Sequence, residues 1–352
     1  ECYPKFKHAR WINSRSDAFK VYSGPWFHAI ETRLFKLDWF IKYTPVPLRA
    51  QRIAMLKKAG LRYFGTDFES FEAHFTPEVM AALELQLYSY MLQKFPDISE
   101  VITSTIAGAN HGRTRTGVSF YLDGRRMSGD MCTSLGNGFS NLMLWLFLAE
   151  EHNFTIEGFV EGDDGIFAVG EGAPGPSQLA SEFRSLGFSI KIEEGQDPTE
   201  MSFCGIVAAD GQNIRDPADV LQSFGWTHSC LRAGPRVKAQ LLRAKALSLA
   251  YELPNCPILR AVADRALQLT TGVEPRFELD GYHQPPPKTS PPEFQPTQLT
   301  RLCFERKYGI SVQAQLALES RIGSCVDLSF MTEVLLPNAD NVKFSLLYTE
   351  KT

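Results

Sequence analysis

Phe159-Val160-Glu161-Gly162-Asp163-Asp164-Gly165-Ile166-Phe167 places an acidic, glycine-flanked knot between two apolar runs. Short runs of strand formers separated by turn residues read as a hairpin, with strands over 154–161 and 165–170. The plainest account is a solvated turn, because Asp and Gly are favoured there. Gly-Asp-Asp arises by chance in about one chain in fifteen of this length. A hairpin tip also presents carboxylates with little steric cover, and hard cations such as Mg²⁺ take oxygen ligands of that kind. A metal site then needs another carboxylate from a neighbouring strand. Asp67 qualifies, at the end of a strand over 61–66 in Gly65-Thr66-Asp67-Phe68-Glu69-Ser70-Phe71-Glu72. Read alone, that segment is an acidic strand end facing water. Beside the hairpin tip it repels Asp163 and Asp164 unless cations neutralise the group. Two divalent ions about 3.5–4 Å apart, bridged by Asp67 and Asp163, suit phosphoryl transfer.

Composition sets the bounds around this core. The 352 residues are 44% hydrophobic and 22% charged, which excludes disordered and collagen-like chains and leaves room for two or three packed subregions. The longest apolar run, Leu142 to Ala149, falls far short of the roughly 20 residues of a membrane span. No charged-then-apolar leader opens the sequence. It begins at Glu1, directly in dense sequence, and reads as a piece of a longer polypeptide. Seven Cys, no two closer than 22 positions, suggest neither a zinc knuckle nor a compact disulfide framework and fit a reducing compartment. A net charge of −4 conceals an asymmetry: residues 1–60 hold 12 Lys/Arg against 4 Asp/Glu, and residues 151–210 hold 2 against 12. One region attracts phosphates and the other cations.

Periodicity predicts an irregular basic arm over 1–23, then helices over 26–42 and 46–59. A helix over 76–94 follows, with Thr76 as N-cap and Pro77 in first position. Strands are expected at 101–106 and 116–122, a helix at 133–152, a helix at 177–186 and a strand at 188–193. Asp210-Gly211 marks a tight turn between strands over 202–208 and 212–214. Beyond residue 216 the pattern becomes helical, at 216–223, 235–251, 256–270, 298–308 and 312–322, interrupted by a Pro-rich stretch from Gln284 to Thr297.

Between Asp67 and the acidic turn stands Ser128-Gly129-Asp130-Met131-Cys132-Thr133-Ser134-Leu135-Gly136-Asn137. Helix capping explains Thr133 but does not ask for Asn137 one turn later. Ser-Gly-x3-Thr-x3-Asn has a chance expectation of about one chain in two hundred. In order, Asp67, this segment and Gly162-Asp163-Asp164 resemble the A, B and C motifs of RNA-dependent RNA polymerases from positive-strand RNA viruses. Arg126-Met127-Ser128-Gly129-Asp130-Met131 is most similar to the tombusvirus-like branch. Ala9-Arg10-Trp11-Ile12-Asn13-Ser14-Arg15 resembles the basic F motif, Leu186-Gly187-Phe188-Ser189-Ile190-Lys191 motif D, and Phe203-Cys204-Gly205 motif E.

The resemblance implies an α+β right-hand polymerase fold, with fingers, a palm built on an antiparallel sheet, and a helical thumb, here N-terminally truncated. It implies a fingers portion with a basic arm over 1–60 and the first metal-binding palm strand over 61–75. A palm helix and fingers insertion follow over 76–127, the palm with its acidic hairpin over 128–215, and the thumb over 216–352. Asp67, Asp163 and Asp164 are implied as catalytic ligands of two Mg²⁺ or Mn²⁺ ions. Glu72, Ser128, Thr133 and Asn137 would recognise the ribose, and Lys7, Arg10 and Arg15 the triphosphate. Lys191 is a further catalytic candidate, and Phe203, Cys204 and Gly205 would grip the growing strand. Implied partners are template and nascent RNA, nucleoside triphosphates, and viral or host replication-complex proteins. The implied location is the host cytoplasm, in membrane-associated replication complexes. One departure is Glu72, where the family usually carries Asp; one methylene longer, it can still bond Asn137 with shifted geometry.

Two rivals remain open. A reverse transcriptase shares the palm logic, but the Ser-Gly-x3-Thr-x3-Asn segment and Glu161-Gly162 argue against it. A nucleic-acid-binding helix pair over Thr297 to Ile322 is the non-enzymatic rival, although such pairs are usually plain packing. The exposed-face candidates Arg236, Lys238 and Arg243 would meet RNA backbone in a thumb. The Pro-rich stretch reads as a spacer, or as a stiff platform offering Tyr282, His283 and Phe294 for stacking during unprimed initiation.

Overall fold

The computed structural model describes residues 12–58, 60–114, 117–225, 227, 230, 232–277 and 293–327. Lys7, Arg10, Tyr282 and His283 lie outside the described residues. The chain divides into two compact units, one of residues 8–44 and 55–204, the other of 1–7, 45–54 and 205–352.

The first element is α1, Asp17–Leu34, opened by Ser16, whose hydroxyl accepts from Phe19 N, with Asp17 in the first turn. It starts nine residues earlier than periodicity predicts and stops earlier too. Pro25 sits inside it, at the cost of one backbone hydrogen bond. Instead of the expected helix over 46–59, a 3₁₀ turn at Val46–Leu48 leads into the short α2, Arg49–Ala54.

Strand β1 spans Arg62–Phe68. The expected helix over 76–94 begins as read, with Thr76 accepting from Val79 N. It breaks at Leu83, giving α3 Pro77–Ala82 and α4 Glu84–Met91.

The expected strand over 101–106 is overturned: these residues lie in α5, Pro96–Ala107. The β-branched run Val-Ile-Thr-Ser-Thr-Ile favours strand locally. Pro96 at the first helical position and burial of Ile102 and Ile106, one turn apart, decide otherwise.

A small hairpin follows, β2 Asn110–Arg113 and β3 Ser119–Leu122. Next come α6 Thr133–Glu151, β4 Ile156–Glu161, β5 Asp164–Val169, α7 Pro176–Ser185 and β6 Ile190–Gly195.

These strands form one antiparallel sheet in the order β4-β5-β1-β6. The chain path β1, helices, β4, β5, α7, β6 with β1 and β5 central is the split β-α-β arrangement. Phe40 adds a parallel bridge to Val160 at the β4 edge. Trp145 of α6 packs on Phe64 and Phe167 of the sheet and on Phe183 of α7. Phe68, Phe71, Phe75 and Phe188 close the core at the other end of β1. Alternation along β1 thus gives Phe64, Thr66 and Phe68 to the helical face and leaves Asp67 on the opposite one.

The second unit holds the hairpin of β7 Val207–Ala209 and β8 Gln212–Ile214, then α8 Pro217–Leu221, α9 Pro235–Glu252, α10 Leu259–Leu269, α11 Gln298–Tyr308 and α12 Val312–Ser324. Asp210 and Gly211 both take positive φ at the hairpin turn, as Asp-Gly turns require. Buried Asn213 ties this unit together. Its Nδ2 donates to Val46 O at 2.7 Å and Glu252 O at 3.0 Å, and its Oδ1 accepts from Ala50 N. Arg243, expected on an open helix face, instead donates to the Leu267 and Thr270 carbonyls at the end of α10. Its guanidinium caps a neighbouring helix.

Candidate active site

The acidic hairpin is a two-residue loop. Glu161 pairs with Asp164, and Gly162 has φ +63 while Asp163 does not take positive φ. A positive first central residue alone is the II′ pattern, which favours Gly there.

Register brings the other carboxylate in. Thr66 pairs with Gly165, so Asp67, one step on, stands beside Asp164. Residues paired across strands share a face, which puts Asp67 and Asp164 together on the side of the sheet away from Trp145. On the other flank Asp67 pairs with Lys191. Lys191 itself is exposed and bonds Glu193 at 2.6 Å; that bond, then the charges of Glu193 and Asp67, raise its pKa.

Electrostatics confirm that these carboxylates feel one another. The Asp164 pKa is pushed up to about 7, first by burial, then by the charges of Asp163 and Asp67, with Glu161 adding to it and a hydrogen bond from Cys204 opposing. Cys204 also reaches Glu161, Sγ to Oε2 at 3.8 Å. Lys42 is a neighbouring cation, with Nζ 3.6 Å from Glu161 Oε1 and 3.0 Å from Ser134 Oγ.

The donor set fits a hard divalent cation. It is all carboxylate oxygen, and burial together with the neighbouring carboxylates holds a proton on Asp164 near neutrality, where a cation would offset their charge. Among the described residues, no three His, Cys, Asp or Glu side chains form a group that could hold a metal ion. Register and face put Asp67 and Asp164 side by side, and the described residues form no ligand cluster around them.

The 126–133 loop is held from several sides. Arg126 is buried, ion-paired with buried Glu84 of α4, and lies 4.3 Å from the centre of the Phe75 ring. Burial pushes the Glu84 carboxyl up, and the charge of Arg126 pulls it back; Tyr88 donates to Glu84 at 2.9 Å. Ser128 O accepts from Asn13 N at 2.7 Å.

Arg15, expected at the triphosphate, is engaged here: Nε donates to Asp130 at 2.8 Å and Nη1 to Asn110. It links the segment resembling motif F to the loop resembling motif B. Thr133 is the first residue of α6 after a Cys132 cap, and its hydroxyl turns back to the Met127 and Asp130 carbonyls at 3.0 and 2.9 Å. The anticipated bond between Asn137 and Glu72 is present, Nδ2 to Oε1 at 3.2 Å.

Next to the hairpin, where the chain of this unit ends, Phe203 is buried and Cys204 has φ +52. Gly205, with φ +72, begins the second unit.

Sequence reasoning missed three contributors: Lys42, the Glu84–Arg126 pair, and Asn141. Asn141 carried a signal, since it continues the four-residue step from Thr133 to Asn137 on one face of α6.

Residues 57–218 match the family model for viral RNA dependent RNA polymerase. The RNA-directed RNA polymerase of Pothos latent virus (isolate Pigeonpea/India) is 27% identical over 207 residues, which is 55% of this chain and 28% of that protein. The crystal structure of the RNA-dependent RNA polymerase of a human picorbirnavirus superposes with a TM-score of 0.52 at 12% identity, covering 66% of this chain and 47% of that one. Its insertion loop deletion mutant gives 0.52 at 14%, covering 71% and 52%.

The chain thus spans between a quarter and a third of the length of the viral protein and about half of the solved chains. The fold is that of the right-hand viral polymerases. Residues 57–218 thus resemble viral RNA dependent RNA polymerase and lie on a fold like that of the solved viral polymerases.

Proposed function

We propose that the chain is the catalytic portion of a positive-strand virus replicase of the tombusvirus-like branch. It would transfer nucleoside monophosphates from triphosphates to an RNA 3′-hydroxyl under the direction of a template. The observation that carries this reading is the placement of Asp67 beside Asp164 on adjacent central strands, with Asp163 at the hairpin tip.

Asp67, Asp163 and Asp164 are the residues that would hold Mg²⁺ or Mn²⁺. Bound there, two such ions would activate the 3′-hydroxyl and neutralise charge on the departing pyrophosphate. Glu72 and Asn137 orient each other and would read the 2′-hydroxyl that separates RNA from DNA precursors. Thr133 supports this from below by closing the 126–133 loop, leaving the Ser128 side chain as its polar contribution. Lys191, beside Asp67 and bonded to Glu193, would hold a proton at Nζ near the departing phosphate. Arg15 acts by ordering the Asp130 loop, so direct triphosphate contact would fall to Lys7 and Arg10. Phe203, Cys204 and Gly205 would grip the product strand.

No helix among the described residues is long and apolar enough to cross a membrane. Association with membrane replication complexes in host cytoplasm would then run through partner proteins or other segments. The test is Asp163→Ala in an active polymerase containing this chain. Synthesis should vanish while RNA affinity stays within about twofold, and retained turnover refutes the assignment.

A further inference from the structure

Helix α6 carries a second buried asparagine one turn beyond Asn137. Asn141 is fully buried, and its Nδ2 lies 3.2 Å from Gly162 O, 3.1 Å from Asp163 O and 3.1 Å from Asp164 O. An amide nitrogen has two protons, so the three carbonyls share them and the turn wraps around the amide. The bonded residues are the three that make the acidic motif.

The other end of the amide supplies an independent observation. Asn141 Oδ1 is buried and has no hydrogen-bond partner, a desolvation cost that an apolar side chain at this position would avoid. The helix is also cut to fit. A Cβ on Gly138 would press on the Phe40 ring at 3.3 Å and come within 3.6 Å of Gly162 N, so this face of α6 lies close against the turn.

The need for such a hold follows from charge. Asp67, Asp163, Asp164 and Glu161 crowd like charge at one end of the sheet, where Lys42 and Cys204 oppose it only at Glu161 and Asp164 among the contacts described. Amide protons drawing in the Gly162, Asp163 and Asp164 carbonyls fix the main chain from the helical side, while the Asp164 carboxylate faces the other side. We propose that Asn141 is a positioning residue that sets where Asp163 and Asp164 present their oxygens to a divalent cation. This rests on the polymerase reading of the carboxylates.

The experiment measures Mn²⁺ binding to the intact chain, without nucleotide or RNA, from the paramagnetic resonance signal of free Mn²⁺. Asn141→Ala should weaken Mn²⁺ binding about tenfold, in the range usual for groups that orient metal ligands. RNA affinity and the circular dichroism spectrum should stay near wild type. Asn141→Ser keeps one donor and should fall between, and it carries the test should the alanine variant not fold. Mn²⁺ affinity within twofold of wild type in the folded variants overturns the proposal. So does a loss of Mn²⁺ affinity that merely parallels losses of thermal stability and RNA binding. Asp163→Ala separates the two levels of the argument. If it abolishes Mn²⁺ binding while the Asn141 variants bind normally, only this inference fails; if it too binds and synthesises normally, the polymerase assignment of the carboxylates fails.

Discussion

Asp164→Asn should stabilise the metal-free chain while abolishing synthesis. The folded Asp164 carboxyl titrates near 7 against 3.8 for the free group. Its folded form therefore holds a proton that the unfolded chain releases. Stability falls as pH rises through the window between these two values and is lowest above about 7. The full difference is worth about 4 kcal/mol. Asp164 is only partly buried, and solvent screening reduces this to about 2 kcal/mol. Asparagine keeps the shape, removes the charge, and can still accept from Cys204.

The assay is urea unfolding followed through buried Trp145, with chelator present, at about pH 5 and about pH 8. The variant should exceed wild type by about 1–2 kcal/mol at the higher pH and by less than half of that at the lower, which already lies inside the window. Glu84 and Glu252, whose pKa values burial also raises, are common to both chains and cancel in the difference. Mg²⁺ should then recover stability in wild type alone. A variant less stable than wild type at about pH 8 in chelator refutes the reasoning. It would mean that the carboxylate is stabilised in place by partners rather than strained by its neighbours.

Three further outcomes follow from other parts of the molecule. Asn137→Ala and Glu72→Ala should each cut the preference for ribo- over deoxyribonucleotides by about tenfold or more, and the double variant should lose little beyond either single one, because the two share a bond; nucleotide-competition kinetics read this. Arg126→Ala strands the buried Glu84 charge and should cost about 3–5 kcal/mol in urea unfolding, whereas replacing both partners with apolar residues of similar volume should cost far less. Deleting Gln284 to Pro296 should impair unprimed initiation and spare extension of a supplied primer; equal impairment of both reactions would make the stretch a folding element, and no effect would leave only a spacer.

How much of this was legible in the sequence depended on how local the deciding physics is. The acidic hairpin, its Gly162 turn, the strand ending near Asp67 and the Thr76–Pro77 helix start are each fixed within a few residues by turn chemistry or capping, and the structure has them. The misreadings are tertiary. Val101 to Ile106 is locally a strand, and only burial of Ile102 and Ile106 against the core makes it helix. Arg15 read as a triphosphate contact and Arg243 as an exposed cation, because nothing in sequence shows that Asp130, 115 positions away, meets the one or that helix-end carbonyls await the other.

The candidate site divides along the same line. The carboxylates and the Asn137 step could be found because their spacing is improbable by chance. The groups that hold them could not, since Glu84, Arg126 and Lys42 are ordinary residues at unremarkable spacings whose roles exist only after the chain has folded. Asn141 lies between these cases. Thr133, Asn137 and Asn141 form one polar stripe down the mainly apolar helix α6. A polar residue repeated at helical spacing inside a buried helix must find partners on the element it faces. Along α6 those partners are the 126–130 loop for Thr133, Glu72 for Asn137 and the acidic turn for Asn141, so the stripe that leads to the proposed sugar-reading residue leads one turn later to the residue proposed to hold the acidic turn.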